Sequence, residues 1–181
     1  MILNHFTAGQ KLRAIAELGL TIGDVPTDIK LHKGQVGVCL TLSQSAGGNG
    51  VICGEQHGPV KFLEKGRFRL TVDAPDDTKL VRWSEWAEAN VTPFTREALH
   101  DADGYANASW YVYFGWIRPE HIRGCMDMTT GHNVTDWRIC WPESDSRPGV
   151  QFEGRFIWQK RMLAEVAAAN SAHVVWRSGL H

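Results

Sequence analysis

Ile2-Leu3-Asn4-His5-Phe6-Thr7, running into Ala8-Gly9-Gln10, and Val36-Gly37-Val38-Cys39-Leu40-Thr41-Leu42 are the two stretches on which the fold turns. The first reads as a short strand that delivers a histidine and then a helix start. Thr7-Ala8-Gly9-Gln10 fits a capping box, in which a Thr side chain accepts from the backbone and a Gln three residues on reaches back. Leu12, Ile15, Ala16 and Gly19 follow at helical spacing, which predicts an amphipathic helix over 8–18. Gly19 suits the position after the helix where a left-handed backbone is needed. The second stretch is a near-continuous apolar run, the pattern of a strand covered on both faces. If the chain carries chemistry, His5 and Thr41 are expected to face one cleft.

Working outward, 23–34 is polar, contains Pro26 and reads as a loop. Residues 43–60 hold Gly47, Gly48, Gly50, Gly54 and Gly58, and read as a mobile glycine-rich loop of the kind that serves as a lid or binding loop. Arg67-Phe68-Arg69-Leu70-Thr71-Val72 alternates, which predicts a strand with Phe68, Leu70 and Val72 inward. After the turn residues Asp73-Ala74-Pro75-Asp76-Asp77, Leu80, Trp83, Trp86 and Ala87 fall on one helical face. A second short helix is expected over 95–101. Trp110-Tyr111-Val112-Tyr113-Phe114 has the strongest strand propensity in the chain. Further strands are expected over 121–128 and 136–141, a helix over 156–169 and an edge strand over 173–176. Strands and helices do not alternate regularly, so the class is α+β rather than a doubly wound parallel sheet.

The bulk numbers are those of an ordinary globular protein. With 181 residues, 43% hydrophobic and 22% charged, the chain can bury a core as a single domain, 1–181, without disulfides or metal. The formal net charge of −1 announces neither nucleic acid nor a membrane surface as a partner. Cys39, Cys53, Cys125 and Cys140 are widely spaced, and the opening residues lack a signal-peptide pattern, so a cytoplasmic protein with free thiols is expected.

Several chemistries are absent or weakly signalled. There is no phosphate-loop, dinucleotide, nucleophile-elbow or zinc-protease motif. Gly47-Gly48-Asn49-Gly50 could cradle an anion through its amides, although a plain flexible loop is the favoured reading. His121, Cys125 and His132 invite a metal reading. On one strand, however, His121 and Cys125 would stand about 13 Å apart, too far for one zinc. No metal site is expected. Cys39 reads as a small core residue, and Cys53 is the better candidate nucleophile. The eight tryptophans are most economically core, with Trp110 a candidate to line a cleft for a flat ring.

His5-Phe6-Thr7, the helix ending Glu17-Leu18-Gly19-Leu20, and Gly37-Val38-Cys39-Leu40-Thr41 together resemble the opening of the ADP-ribosyltransferase-like superfamily. Val112-Tyr113-Phe114-Gly115-Trp116-Ile117-Arg118-Pro119-Glu120-His121-Ile122 is similar to a later segment of that family. The resemblance covers roughly the first forty residues and 109–122. It implies two small antiparallel sheets forming a split cleft, flanked by short helices, with NAD bound between them as substrate. It also implies that His5 bonds ribose hydroxyls and that Thr7, Thr41 and Ser43 line the nicotinamide end. Trp110 or Tyr113 would stack on the ligand. The family's usual glutamate is not found, and Asn107-Ala108-Ser109-Trp110 stands where it is expected; Asp101 and Asp103 lie upstream. Asn107 and Ser109 could supply only neutral acceptors to an oxocarbenium-like transition state.

The resemblance therefore implies transfer of ADP-ribose to a macromolecular or small-molecule acceptor, as in bacterial, phage or toxin-like proteins. The alternative is a catalytically inactive interaction or inhibitor protein of phage or mobile-element type that binds a host protein. A third reading is a nucleotide-processing enzyme of the phosphotransferase kind. It would need cations near phosphates, for which Arg67, Arg69 and Arg82 are candidates.

Overall fold

The computed structural model describes residues 1–27, 35–47, 65–102 and 106–140, together with Ala164 and Ala168, both helical. Residues 48–60 of the glycine-rich loop, Cys53, Asp103 and the strand expected over 173–176 lie outside the described residues. So does the helix expected over 156–169, apart from those two alanines.

One seven-stranded antiparallel sheet organises the fold. β1 (Ile2–Thr7) sits at its centre. On one side β1 pairs with β5 (Phe68–Asp73), then come β8 (Ile122–Asp127) and β9 (His132–Asn133). On the other side lie β4 (Val38–Thr41), β7 (Trp110–Tyr113) and β6 (Leu80–Arg82). β2 (Asp24–Val25) and β3 (Gln35–Val36) form a separate two-residue ladder. The α+β class holds, but the expected pair of split sheets does not. The reason is local to Asn4, whose backbone pairs with Thr71 on one side and Thr41 on the other, so β1 joins both halves. The junction is nevertheless narrow. β1 meets β5 over six residue pairs, from Ile2↔Asp73 to Thr7↔Phe68, and β4 through Asn4↔Thr41 alone.

Alternation explains which face is buried. Phe68, Leu70 and Val72 are buried, as their spacing predicts, and pack with Leu3, Val38, Leu40 and Ile122 beneath α1 (Leu12–Leu18). From α1, Leu12 and Ile15 enter this core. The other face is covered over β7 and β6 by α2 (Trp83–Asn90), whose Trp83 and Ala87 join Val91, Trp110 and Val112 in a second core. Trp83 and Trp110 meet edge to face at 5.2 Å, and the Trp83 indole N–H donates to the Pro26 carbonyl at 2.9 Å. α3 (Pro93–Ala102) follows, longer at both ends than expected.

Several local expectations change. The capping box does not form. Thr7 is the last residue of β1, buried opposite Phe68, and Ala8 takes the cap position with no side-chain bond. A 3-10 turn (Gly9–Lys11) therefore precedes α1. Gly19 has φ +78° and ψ −163°, a region essentially reserved for glycine. There it lets Leu20 exchange two backbone bonds with Ile117, at 2.9 and 3.0 Å. The run over 36–42 is broken at Gly37, and 23–34 contributes β2. Leu80 belongs to β6 rather than to the helix. The strand expected over 136–141 is a turn, its Ile139 and Cys140 amides donating to the Asp136 carbonyl. Among the described residues, no helix is long and apolar enough to cross a membrane.

Candidate functional site

The narrow junction between β1 and β4 gathers most of the polar side chains that the sequence singles out. Pairing settles where each one points. Side chains of paired residues share a face, and neighbours along a strand alternate between faces. Asn4 stands opposite Thr41, and Thr41 opposite Trp110, so these three project together. His5 is opposite Leu70 and projects from the other face, as do Thr7, opposite Phe68, and Tyr113, opposite Val38. His5 and Thr41 therefore do not face one cleft; they flank the same seam from its two sides.

On the first side, Thr41 Oγ1 accepts from the Ser43 amide at 3.0 Å and shares a hydrogen bond with Ser109 Oγ at 2.8 Å. The Asn4 side-chain amide donates to the Ser43 carbonyl at 3.0 Å, and the Leu42 amide to the Ser109 carbonyl at 3.0 Å. Thr41, Ser43 and Ser109 are thus brought together, and they tie the loop after β4 to β1 and β7. Asn107 lies nearby in chain terms, buried in the 3-10 turn Ala106–Ser109. Trp110 is packed against Trp83 beneath α2. Tyr113 directs its hydroxyl away from the seam, donating to Asp77 Oδ2 at 2.9 Å.

On the other side, His5 Nδ1 lies 2.8 Å from the Cys39 carbonyl. A carbonyl can only accept, so Nδ1 carries the proton and Nε2 keeps a lone pair. Burial holds the imidazole below its ordinary value, against the Cys39 bond, which raises it. The ring is therefore neutral at neutral pH, fixed in one tautomer, with Nε2 available as an acceptor. This bond also adds a second tie where the backbone ladder supplies only one residue pair.

The remaining candidates are not assembled into a site. His121 lies in the 3-10 turn Pro119–His121, its Nδ1 3.0 Å from the Asp73 carbonyl. Among the described residues, no group of three His, Cys, Asp or Glu side chains is placed to hold a metal ion. Cys39, Cys125 and Cys140 are thiols rather than halves of disulfides. Burial and the neighbouring Asp127 charge push the Cys125 thiol up to about 12, which removes it as a nucleophile.

One residue of this region escapes sequence reasoning, and a second is only partly read. Asn4 is a polar residue in an apolar strand, and that was its only signal. Arg69 is a candidate phosphate cation in the sequence, and its alternation with the core positions of β5 would place it in solvent. Instead it lies half-buried on the sheet, and its guanidinium donates to the Gln44 carbonyl at 3.0 Å. No protein-family model, curated protein or solved structure matches this chain.

Proposed function

We propose that this chain is an ADP-ribosyltransferase-like protein that binds NAD as its substrate at the β1–β4 seam and passes ADP-ribose to an acceptor. The observation that supports this reading is His5. Its Nδ1–H is committed to the Cys39 carbonyl, so its Nε2 can only accept, which is what a ribose hydroxyl needs from a partner. A neutral ring also adds no repulsion as positive charge develops on the ribose. In the transfer, the bond from the ribose C1′ to the nicotinamide nitrogen breaks and nicotinamide leaves with the electron pair. The acceptor's nucleophile then bonds C1′ and releases its proton to solvent.

His5→Asn tests the reading sharply. The Asn side chain can keep the donor to the Cys39 carbonyl, but its own acceptor oxygen is too short to reach the Nε2 position. Calorimetric titration is expected to show NAD binding by the native protein and at least about tenfold weaker binding by His5→Asn, the worth of one good hydrogen bond in a dry site. No binding at millimolar NAD, or equal binding by both proteins, would sink the proposal.

A second reading, a catalytically inactive interaction protein that engages a host protein, draws on the other side of the seam. Thr41 bonds both Ser43 and Ser109, Trp110 packs on Trp83, and Tyr113 bonds Asp77, so these expected ligand contacts are already engaged within the fold. Labelled NAD incubated with the protein in a cell lysate separates the two. Incorporation that His5→Ala abolishes counts against the inactive reading.

A further inference from the structure

The chain leaving β4 crosses the seam on the outer face of the sheet. Asn4, on β1, donates from its side-chain amide to the Ser43 carbonyl at 3.0 Å. Arg69, on β5, donates from Nη1 to the next carbonyl, that of Gln44, at 3.0 Å. The Gln44 side chain adds a longer contact, its Oε1 lying 3.5 Å from the same nitrogen. Register puts Asn4 and Arg69 on one face, since Asn4 stands opposite Thr71 and Phe6 opposite Arg69. The Leu42 amide fixes the root of the segment to the turn before β7, donating to the Ser109 carbonyl at 3.0 Å. Residues 42–45 therefore form a strap, rooted beside β4 and β7 and gripped from β1 and β5. It lies where the sheet is weakest. β4 meets β7 over four residue pairs and β1 meets β5 over six, but β1 meets β4 through Asn4↔Thr41 alone.

The strap keeps its own shape and is held at its carbonyls. The Ser43 amide donates to Thr41 Oγ1 at 3.0 Å and the Ser45 amide to Ser43 Oγ at 3.1 Å, so hydroxyls two residues back satisfy these donors. None of residues 42–45 is buried, and Leu42 is 48% exposed, so polar bonds rather than packing fix the strap to the sheet. Segments held in this way belong to the low-stability end of a fold. Closure also has a cost at Arg69. Its Nε is buried with no acceptor among the described residues, and its Nη2 faces the soft Met126 sulfur at 3.4 Å. Lifting the strap returns water to that guanidinium and offsets part of what the lost bonds contribute.

We infer that residues 42–45 are a releasable strap that holds the seam shut. When Asn4 and Arg69 let go, the two halves of the sheet part between β1 and β4, while β1 stays paired with β5 and β4 with β7. The bond from His5 to the Cys39 carbonyl, on the opposite face, spans the same gap and opens in the same step. The strap is thus a conformational control on the seam, and it does not depend on the ligand proposed for His5.

Residue-resolved hydrogen exchange of the full chain at neutral pH tests the inference. The Leu42 amide reports the strap, the His5 ring Nδ1–H reports the seam, and the Leu70 amide in the middle of β5 reports global unfolding. Leu42 and His5 are expected to be at least about tenfold less protected than Leu70, because they exchange through a local opening. Arg69→Met keeps the apolar stem and removes the donor, and is expected to lower the protection of Leu42 and His5 together by at least about tenfold, the worth of a charge-assisted bond. Asn4→Ala removes a neutral bond and is expected to lower both by about threefold or more; it decides if Arg69→Met fails to fold. Gln44→Ala should leave both within about twofold, because Arg69 holds the main-chain carbonyl. Ile122→Val, a buried change on β8 away from the strap, should lower the protection of Leu70 and leave Leu42 and His5 unchanged. The inference is overturned if Leu42 is as protected as Leu70, or if Arg69→Met and Asn4→Ala loosen Leu42 without loosening His5. It is also overturned if Ile122→Val lowers all three alike, since the opening would then be global unfolding.

Discussion

Replacing His5 by Ala removes a hydrogen bond at the place where the sheet has least to hold it together. The β1–β4 ladder supplies one residue pair, and His5 Nδ1 adds a bond to the Cys39 carbonyl at 2.8 Å. Removing one partner of such a bond costs about 1–3 kcal/mol. The expected loss is therefore about 1–3 kcal/mol, a sizeable part of a typical domain stability of about 5–15 kcal/mol. Urea unfolding at about pH 7.5, above the ordinary histidine value, measures it. His5→Asn, which keeps a donor near the Nδ1 position, is expected to lose less than half as much. Acid separates the two further. Burial lowers the folded pKa of His5 below its ordinary 6.5, so below that value the unfolded chain binds the proton and the folded one does not. The contribution is fully present above 6.5 and is lost as pH falls toward the lowered folded value. Within that window each pH unit costs up to about 1.4 kcal/mol. Subtracting the profile of His5→Asn from that of the native protein isolates this residue from the other histidines. The reasoning fails if His5→Ala is as stable as the native protein, or if His5→Asn loses stability in acid as steeply.

Two further outcomes test the packing. Gly19→Ala forces an alanine into a backbone region that costs about 1–3 kcal/mol and drives its methyl into the Ile117 carbonyl oxygen, endangering two backbone bonds worth about 1 kcal/mol each. Urea midpoints should report a loss of about 2–5 kcal/mol, and a loss under about 1 kcal/mol would contradict the geometry. Iodoacetamide labelling of the native protein, read by peptide mapping, should modify exposed Cys140 and leave Cys125 untouched until the protein unfolds, because burial pushes the Cys125 thiol up to about 12. Equal native labelling of the two would show the Cys125 environment to be wrong.

Elements with an uninterrupted local pattern were legible in the sequence. β5 alternates over six residues and buries Phe68, Leu70 and Val72 as read. Gly19 ends α1 as its position suggests. Features decided by a distant partner were not legible. His5 and Thr41 each sit on a strand that sequence alone identifies, but the face each presents depends on which residue of β4 meets Asn4. A slip of one residue would exchange every face. The same dependence hid the single sheet, since the pairing of Asn4 with both Thr41 and Thr71 links residues far apart in the chain. β6 and β9, with three and two residues, are too short to carry a period. Thr7 satisfied the capping-box pattern and failed as a cap because the sheet claimed it first. Arg69 shows the converse case: alternation located it correctly on the face away from the core, but gave no sign that the outer face would half-bury it.

The central position of β1 has a consequence for how the molecule reaches its native state. β1 comes before both of its partners in the chain, and neither is its sequence neighbour. No hairpin can nucleate it, and each of its ladders closes a long loop before it gains a contact. Folding is therefore expected to wait on β1 inserting between two preassembled edges, in the millisecond-to-second range of proteins dominated by non-local pairing rather than the microseconds of helical bundles. During synthesis, β1 leaves the ribosome well before β5 exists to receive it. The strand that joins the two halves of the finished sheet is thus made long before the partner it meets over six residue pairs.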